Sequence, residues 1–370
     1  MENFKQLGIS PNFIKGLAEL NIVEPTEIQR EVIPLLLNDS IDLVGQAHTG
    51  TGKTAAYGLP LLHRINPKLA SVQALVLCPT RELSQQVKKQ LFKFTKYTDK
   101  IFCEAVFGGA QIELQIRALS RPTHVLVATP GRLIDLVKRK AIDLSHVRMI
   151  VLDEADEMLS MGFKNELDEI LSFLASAESK WLFSATIPLE IKRIVDEHLS
   201  SNAHRIEISG RNVVNKNISH QFVIADEIDK LAVVLQFLKS RPKERGVVFC
   251  KTKLATQKLA KQLIAKNISA DGIHGDLKQK ERDKVMRGFK NGQLRLLVAT
   301  DLAARGIDID SLAFVLHYQL PDKEEYYTHR SGRTARAGKD GLSLAIVSTR
   351  EMKQLRYFEK KLGIAFSQIR

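Results

Sequence analysis

Two short segments carry residue types that handle phosphate. In AHTGTGKT, residues 47–54, Gly50 and Gly52 precede Lys53 and Thr54. Glycines let the backbone turn so that its N–H groups converge on phosphate oxygens, and a helix starting there adds the positive end of its dipole. Lys53 then reaches the β- and γ-phosphates and Thr54 holds Mg²⁺. The pattern GxxxxGK followed by Ser or Thr is met except that Ala47 takes the place of its first glycine. In VLDEADEML, residues 151–159, Asp153, Glu154 and Asp156 crowd together after an apolar run. Like charges so close repel unless a cation sits among them. An acid ending a strand is the second protein ligand of Mg²⁺ in P-loop enzymes, which casts Asp153 as a metal ligand. Glu154 beside it is placed to orient or deprotonate an attacking water.

Such residues need strands that end where they begin. Short apolar runs alternate with amphipathic stretches: IDLVGQA (41–47), QALVLCPT (73–80), IFCEAVFGG (101–109), HVLVATPG (124–131), MIVLDEAD (149–156) and KWLFSAT (180–186). Their spacing of 20 to 35 residues predicts strand–helix–strand units, hence an α/β fold whose mostly parallel sheet has helices on both faces. The pattern weakens around 202–220, which puts a linker at 208–213 between domains at 1–207 and 214–370. It restarts with GVVFCKT (246–252), SADGIHGD (269–276), LRLLVATD (294–301), FVLHYQLP (314–321) and GLSLAIVS (341–348). No repeat is visible at the residue level.

Composition narrows the partners. The 370 residues are 44% hydrophobic and 26% charged, with net charge +13, which favours a polyanion and nucleic acid before a membrane surface. Cys78, Cys103 and Cys250 are scattered with no CxxC, so buried reduced thiols are expected and a zinc site is not. No run approaches the roughly 18 apolar residues of a membrane span, and the N-terminus has no signal-peptide core. A cytoplasmic monomer is the expectation.

AHTGTGKT, PTREL (79–83), GG (108–109), TPGR (129–132), DEAD (153–156) and SAT (184–186) occur in the order seen in DEAD-box RNA helicases, and ATDLAARGID (299–308) and HRSGRTARAG (329–338) resemble that family's later motifs. The resemblance implies two tandem RecA-like domains with ATP and Mg²⁺ held in the cleft between them. It implies an adenine-recognising element at Phe4, Pro25, Thr26 and Gln29, with Ile22 where the family often has an aromatic residue. It casts Ala47, His48, Thr49, Gly50, Thr51, Gly52, Lys53 and Thr54 as the phosphate loop, and Asp308 as a ribose contact. Arg333 and Arg336 would come from the second domain to the γ-phosphate, as arginine fingers do. Ser184, Thr186, Asp301, Arg305 and His329 would couple the domains. Ala335 stands where the family usually has glycine, and one added methyl is expected to be tolerated.

The RNA surface follows from position and resemblance together. Thr80, Arg81, Gly108, Gly109, Thr129 and Arg132 come just after strands, where open α/β sheets bind ligands, with Thr252, Gly275 and Thr300 as candidates from the second domain. Hydroxyls, arginine and glycine N–H groups suit phosphate oxygens and carry no base code. With aromatic residues at 6%, a sequence-tolerant, backbone-tracking groove is expected rather than a stacking platform. RNA over DNA rests on the resemblance alone; an ATP-dependent RNA clamp and a DNA helicase are the alternatives. The target RNA, protein partners and a C-terminal RNA-binding extension are left open.

Overall fold

Runs such as Ala-Leu-Val-Leu at 74–77 have no polar face to offer water, so they form strands only where both faces of a sheet are covered. The computed structural model describes residues 3–47, 50–208, 215–304, 312–335 and 339–369. They divide into two units, Met1–Ile208 and Ser209–Arg370.

The first unit contains β1 (Leu43–Gln46), β2 (Ala74–Leu77), β3 (Cys103–Val106), β4 (Val125–Ala128), β5 (Met149–Asp153), β6 (Ser179–Ser184) and β7 (His204–Glu207), in the order β3-β4-β2-β5-β6-β1-β7. Every pairing is parallel. Alternate residues feed two cores. Val76, Val127 and Val151 join one, while Leu75, Leu77, Leu126 and Leu152 join the other. Helices therefore cover both faces.

The second unit contains β8 (Ile218–Ile224), β9 (Gly246–Cys250), β10 (Ala270–Ile273), β11 (Leu296–Thr300), β12 (Phe314–His317), β13 (Gly341–Val347) and β14 (Ser367–Gln368), in the order β10-β11-β9-β12-β13-β8-β14. All its pairings are parallel as well. Adding seven to each strand number of the first sheet reproduces the order of the second. The chain thus repeats its topology although no repeat is visible in its residues.

Strands β7 and β8 fall in the stretch where the pattern weakens. Both are polar on one side: β7 is mostly exposed, and β8 alternates between buried and less buried residues. The expected linker lies outside the described residues apart from Ile208, which packs against the first unit's core. No helix among the described residues is long and apolar enough to cross a membrane.

Candidate active site and nucleic-acid interface

The turn after β1 is built for close approach. Ala47, buried, extends the strand by donating its N–H to Ser184 O at 2.9 Å. Gly50 and Gly52 take φ of +85° and +90°, a region costly for residues with a Cβ. A Cβ on Gly52 would also stand 2.3 Å from Gln29 Nε2. That amide donates to Gly52 O at 3.0 Å, while Gln29 Oε1 accepts from Thr26 N at 3.0 Å. The expected adenine reader therefore also clamps the phosphate loop from beneath. Phe4 is a core residue of this unit, Ile22 packs on that core half-buried, and Pro25 is buried. His48 and Thr49 lie outside the described residues.

Helix Lys53–His63 begins at once, so its free N–H groups and dipole face the turn. Lys53 is buried, yet its Nζ makes no hydrogen bond to any described residue. A buried ammonium whose N–H donors are unmet is expensive, and among the described residues an acceptor is what it lacks. Asp153, at the end of β5, is also buried. Burial raises its carboxyl above the usual range, opposed by the Lys53 charge and by a hydrogen bond from Tyr57 Oη to Oδ2 at 2.8 Å. These residues fit a magnesium–phosphate group: an unsatisfied buried amine, a cradle of open glycine backbone, and an oxygen donor.

Glu154 follows in left-handed backbone, φ 53° and ψ 52°. A side-chain-bearing residue pays roughly 1–2 kcal/mol there, and such strain gathers at working sites. Asp156 fastens this turn to β6. Its Oδ2 accepts from Thr186 N at 2.9 Å and Thr186 Oγ1 at 2.8 Å, and its own N–H donates to Ser184 Oγ at 3.2 Å. Ser184 Oγ in turn donates to Thr186 O at 2.7 Å. Ser184 and Thr186, expected to couple domains, are thus knotted to the acidic turn within their own unit.

Comparisons with known proteins give the family. The DEAD/DEAH box helicase model matches residues 26–194, and the helicase conserved C-terminal domain model matches residues 229–338. The DEAD-box ATP-dependent RNA helicase CshA of Geobacillus kaustophilus is 41% identical over 360 residues, covering 97% of this chain and 76% of the relative. The chain belongs to the DEAD-box ATP-dependent RNA helicases. CshA of Bacillus subtilis is 40% identical over 357 residues, covering 96% of this chain and 72% of the relative. Among solved structures, Saccharomyces cerevisiae Dbp5 bound to RNA and ADP BeF3 matches with TM-score 0.90 and 31% identity, over 100% of this chain and 96% of that one. A DEAD box protein from Methanococcus jannaschii matches with TM-score 0.58 and 38% identity, over 100% and 99%. Each unit is a RecA-like domain.

In this helicase the expected RNA contacts cluster at strand ends. Thr80, Gly108 and Thr129 follow the adjacent strands β2, β3 and β4; Thr252 and Gly275 follow β9 and β10, and Thr300 ends β11, at the equivalent places of the second sheet. Thr80 and Thr252 make the same helix cap, accepting from Leu83 N at 3.2 Å and Ala255 N at 3.1 Å. The Gly108 N–H is directed at Thr129 Oγ1, 3.3 Å away, rather than left open. Gly109 takes φ +77°. Arg81 lies over the Phe107 ring at 4.8 Å, a contact that only the fold discloses. Arg132 donates to Ala110 O at 3.0 Å, and its buried Nη1 has no partner among the described residues.

In the second unit Asp301 binds Arg330 through both oxygens, at 2.5 and 2.7 Å, and Arg330 also donates to Gln319 O at 2.7 Å. Asp301 thus braces its own unit, through an arginine to which the motif reading gave no role. Arg333 and His329 are half-buried beside this pair. Ala335 has φ +56°, so its methyl is tolerated at the cost of left-handed backbone. Arg305, Asp308 and Arg336 lie outside the described residues.

Proposed function

We propose that this chain binds ATP with Mg²⁺ through its first unit and hydrolyses it when RNA is bound, remodelling short duplexes or RNA–protein complexes. The observation that carries this reading is the buried Lys53 amine, with no hydrogen-bond partner among the described residues, beside a buried Asp153. Gly50, Thr51, Gly52 and Lys53 would cradle the phosphates, and Thr54 and Asp153 would supply the metal's protein ligands. When bound, Mg²⁺ neutralises charge developing on the phosphate oxygens. Glu154 aligns the attacking water and takes its proton. Gln29, clamped to Gly52 O, ties adenine recognition to the shape of the phosphate loop.

Arg333 and Arg336 supply guanidinium charge to the transferred phosphoryl, a role that rests on their place in the family motif. RNA is held through its backbone by the strand-end residues of both sheets, a reading supported by the net charge of +13. The free cysteines, with Cys78 and Cys250 buried, support residence in the cytoplasm, which fractionation tests.

Carboxylate and lysine variants test the whole. Lys53→Ala should abolish nucleotide binding. Glu154→Gln should retain ATP and Mg²⁺ binding but lose about 10²–10⁴ of the RNA-stimulated rate, on the scale of general acid–base catalysis. Parental turnover in Lys53→Ala would sink the phosphate assignment, and parental turnover in Glu154→Gln that of the base.

A further inference from the structure

One buried hydroxyl in the site has no role so far. Tyr57 lies one helical turn beyond Lys53, fully buried, and donates to Asp153 Oδ2 at 2.8 Å. Thr54, three residues earlier on the same helix, faces the same way and its side chain meets the phenol. The ring packs on Phe183 with centroids 5.3 Å apart, and Phe183 pairs in register with Asp153 across β5 and β6. A phenylalanine would satisfy that packing equally. An oxygen here has been carried into the core at a desolvation cost that only its hydrogen bonds offset.

We propose that Tyr57 is a positioning residue of the metal site: its hydroxyl holds one oxygen of Asp153, so that the carboxylate presents its other oxygen to a divalent cation. This rests on the reading of Thr54 and Asp153 as the metal's protein ligands. A carboxylate with one oxygen held has fewer orientations to lose when the cation arrives.

The test is Tyr57→Phe in the full chain, with Asp153→Asn beside it. ADP affinity is measured by calorimetry across a Mg²⁺ series and in EDTA, and RNA-stimulated turnover is followed over the same series. In Tyr57→Phe the Mg²⁺ midpoint should rise about five- to tenfold, part of what a hydrogen bond to a charged group is worth. Affinity in EDTA should stay within about twofold, since no phosphate contact is touched. Turnover at saturating Mg²⁺ should recover. Asp153→Asn should lose the Mg²⁺ dependence altogether; if it keeps the parental dependence, the metal reading itself has failed. If Asp153→Asn loses it while Tyr57→Phe keeps the parental midpoint, the positioning role is overturned. A lowered melting temperature with an unmoved midpoint overturns it equally, because a merely structural hydroxyl does that. So does a Tyr57→Phe chain that does not fold.

Discussion

Replacing Asp301 by Asn removes one charge and almost no volume, and it strands another charge. Arg330 is 1% exposed, held by both Asp301 oxygens and by Gln319 O, with its guanidinium 5.1 Å from the Phe249 ring centroid. Asparagine can accept from one N–H of that fork but turns an amide donor toward the other. Breaking a buried ion pair from one side costs about 3–5 kcal/mol, because the remaining ion is uncompensated. For a unit of this size each kcal/mol moves the melting temperature by about 2–4 °C, so the second unit should melt roughly 6–20 °C lower.

The chain carries a built-in control. Its one tryptophan, Trp181, is buried in the first unit, where its indole donates to Ile41 O at 3.0 Å. Tryptophan fluorescence therefore follows the first unit, while far-UV circular dichroism follows both. Asp301→Asn should leave the fluorescence transition in place and send part of the dichroism transition to lower temperature. Arg330→Lys should do nearly the same, since an ammonium cannot reproduce the fork. A shift worth less than about 1 kcal/mol would mean that the pair is solvated and weak. A fluorescence transition that falls by the same amount would mean that Asp301 does not act within its own unit.

Acid should weaken the second unit through histidines. His317 is held well below the usual imidazole range by burial and His220 is lowered to about 4, so the folded state refuses protons that the unfolded chain takes up. Both pKa values are depressed, so the stabilisation is fully present above the unfolded value near 6.5 and is lost as pH falls toward 4, at about 1.4 kcal/mol per pH unit for each group. Urea unfolding between pH 7 and 4.5 should show that slope, and His317→Gln should remove about half of it; an unchanged slope would refute the assignment. RNA affinity should fall with salt at a log–log slope near −4, from about six phosphates at roughly −0.7 each on a single strand. A flat salt response, or strong preference for one short sequence, would contradict a backbone-tracking groove.

What was legible in the sequence has a physical pattern. Apolar runs, most of them ending in Gly, Thr or Asp, marked eleven strands and the loops that carry chemistry, because a strand buried on both faces leaves little choice of residue. Strands β7 and β8 escaped that signal because one side of each meets water. Tyr57 was hidden in an apolar helix, where an aromatic residue reads as packing, and its hydroxyl matters only because β5 brings Asp153 to it across 96 residues of chain. Arg330 was obscured by the neighbouring motif arginines. Its partner Asp301 is 29 residues away and becomes visible only when β11 and helix Glu324–Ser331 are in place. Each missed residue acts through a long-range pair, and no spacing along the chain encodes such a pair.

The repeated topology explains why the nucleotide site is assigned to one unit. In each sheet the strand at the same place, β1 or β8, leads into a helix whose first residue is a buried lysine, Lys53 or Lys230. Before Lys53 come two glycines in left-handed backbone and no acid; before Lys230 come Asp226, Glu227 and Asp229. Lys230 Nζ is met by Glu227 at 2.9 Å and Glu351 at 4.0 Å, whereas Lys53 Nζ has no hydrogen-bond partner among the described residues. The same helix start is thus met by an acid of its own loop in one unit and, among the described residues, left with unmet donors in the other. Carboxylates at the second position would repel phosphate through Coulomb interaction even if glycines were introduced there, since each faces the oxygen charges that the first unit's turn is shaped to receive. The repeated topology offers two equivalent frames, and the sign of the charges placed before one lysine favours the first for the proposed nucleotide site.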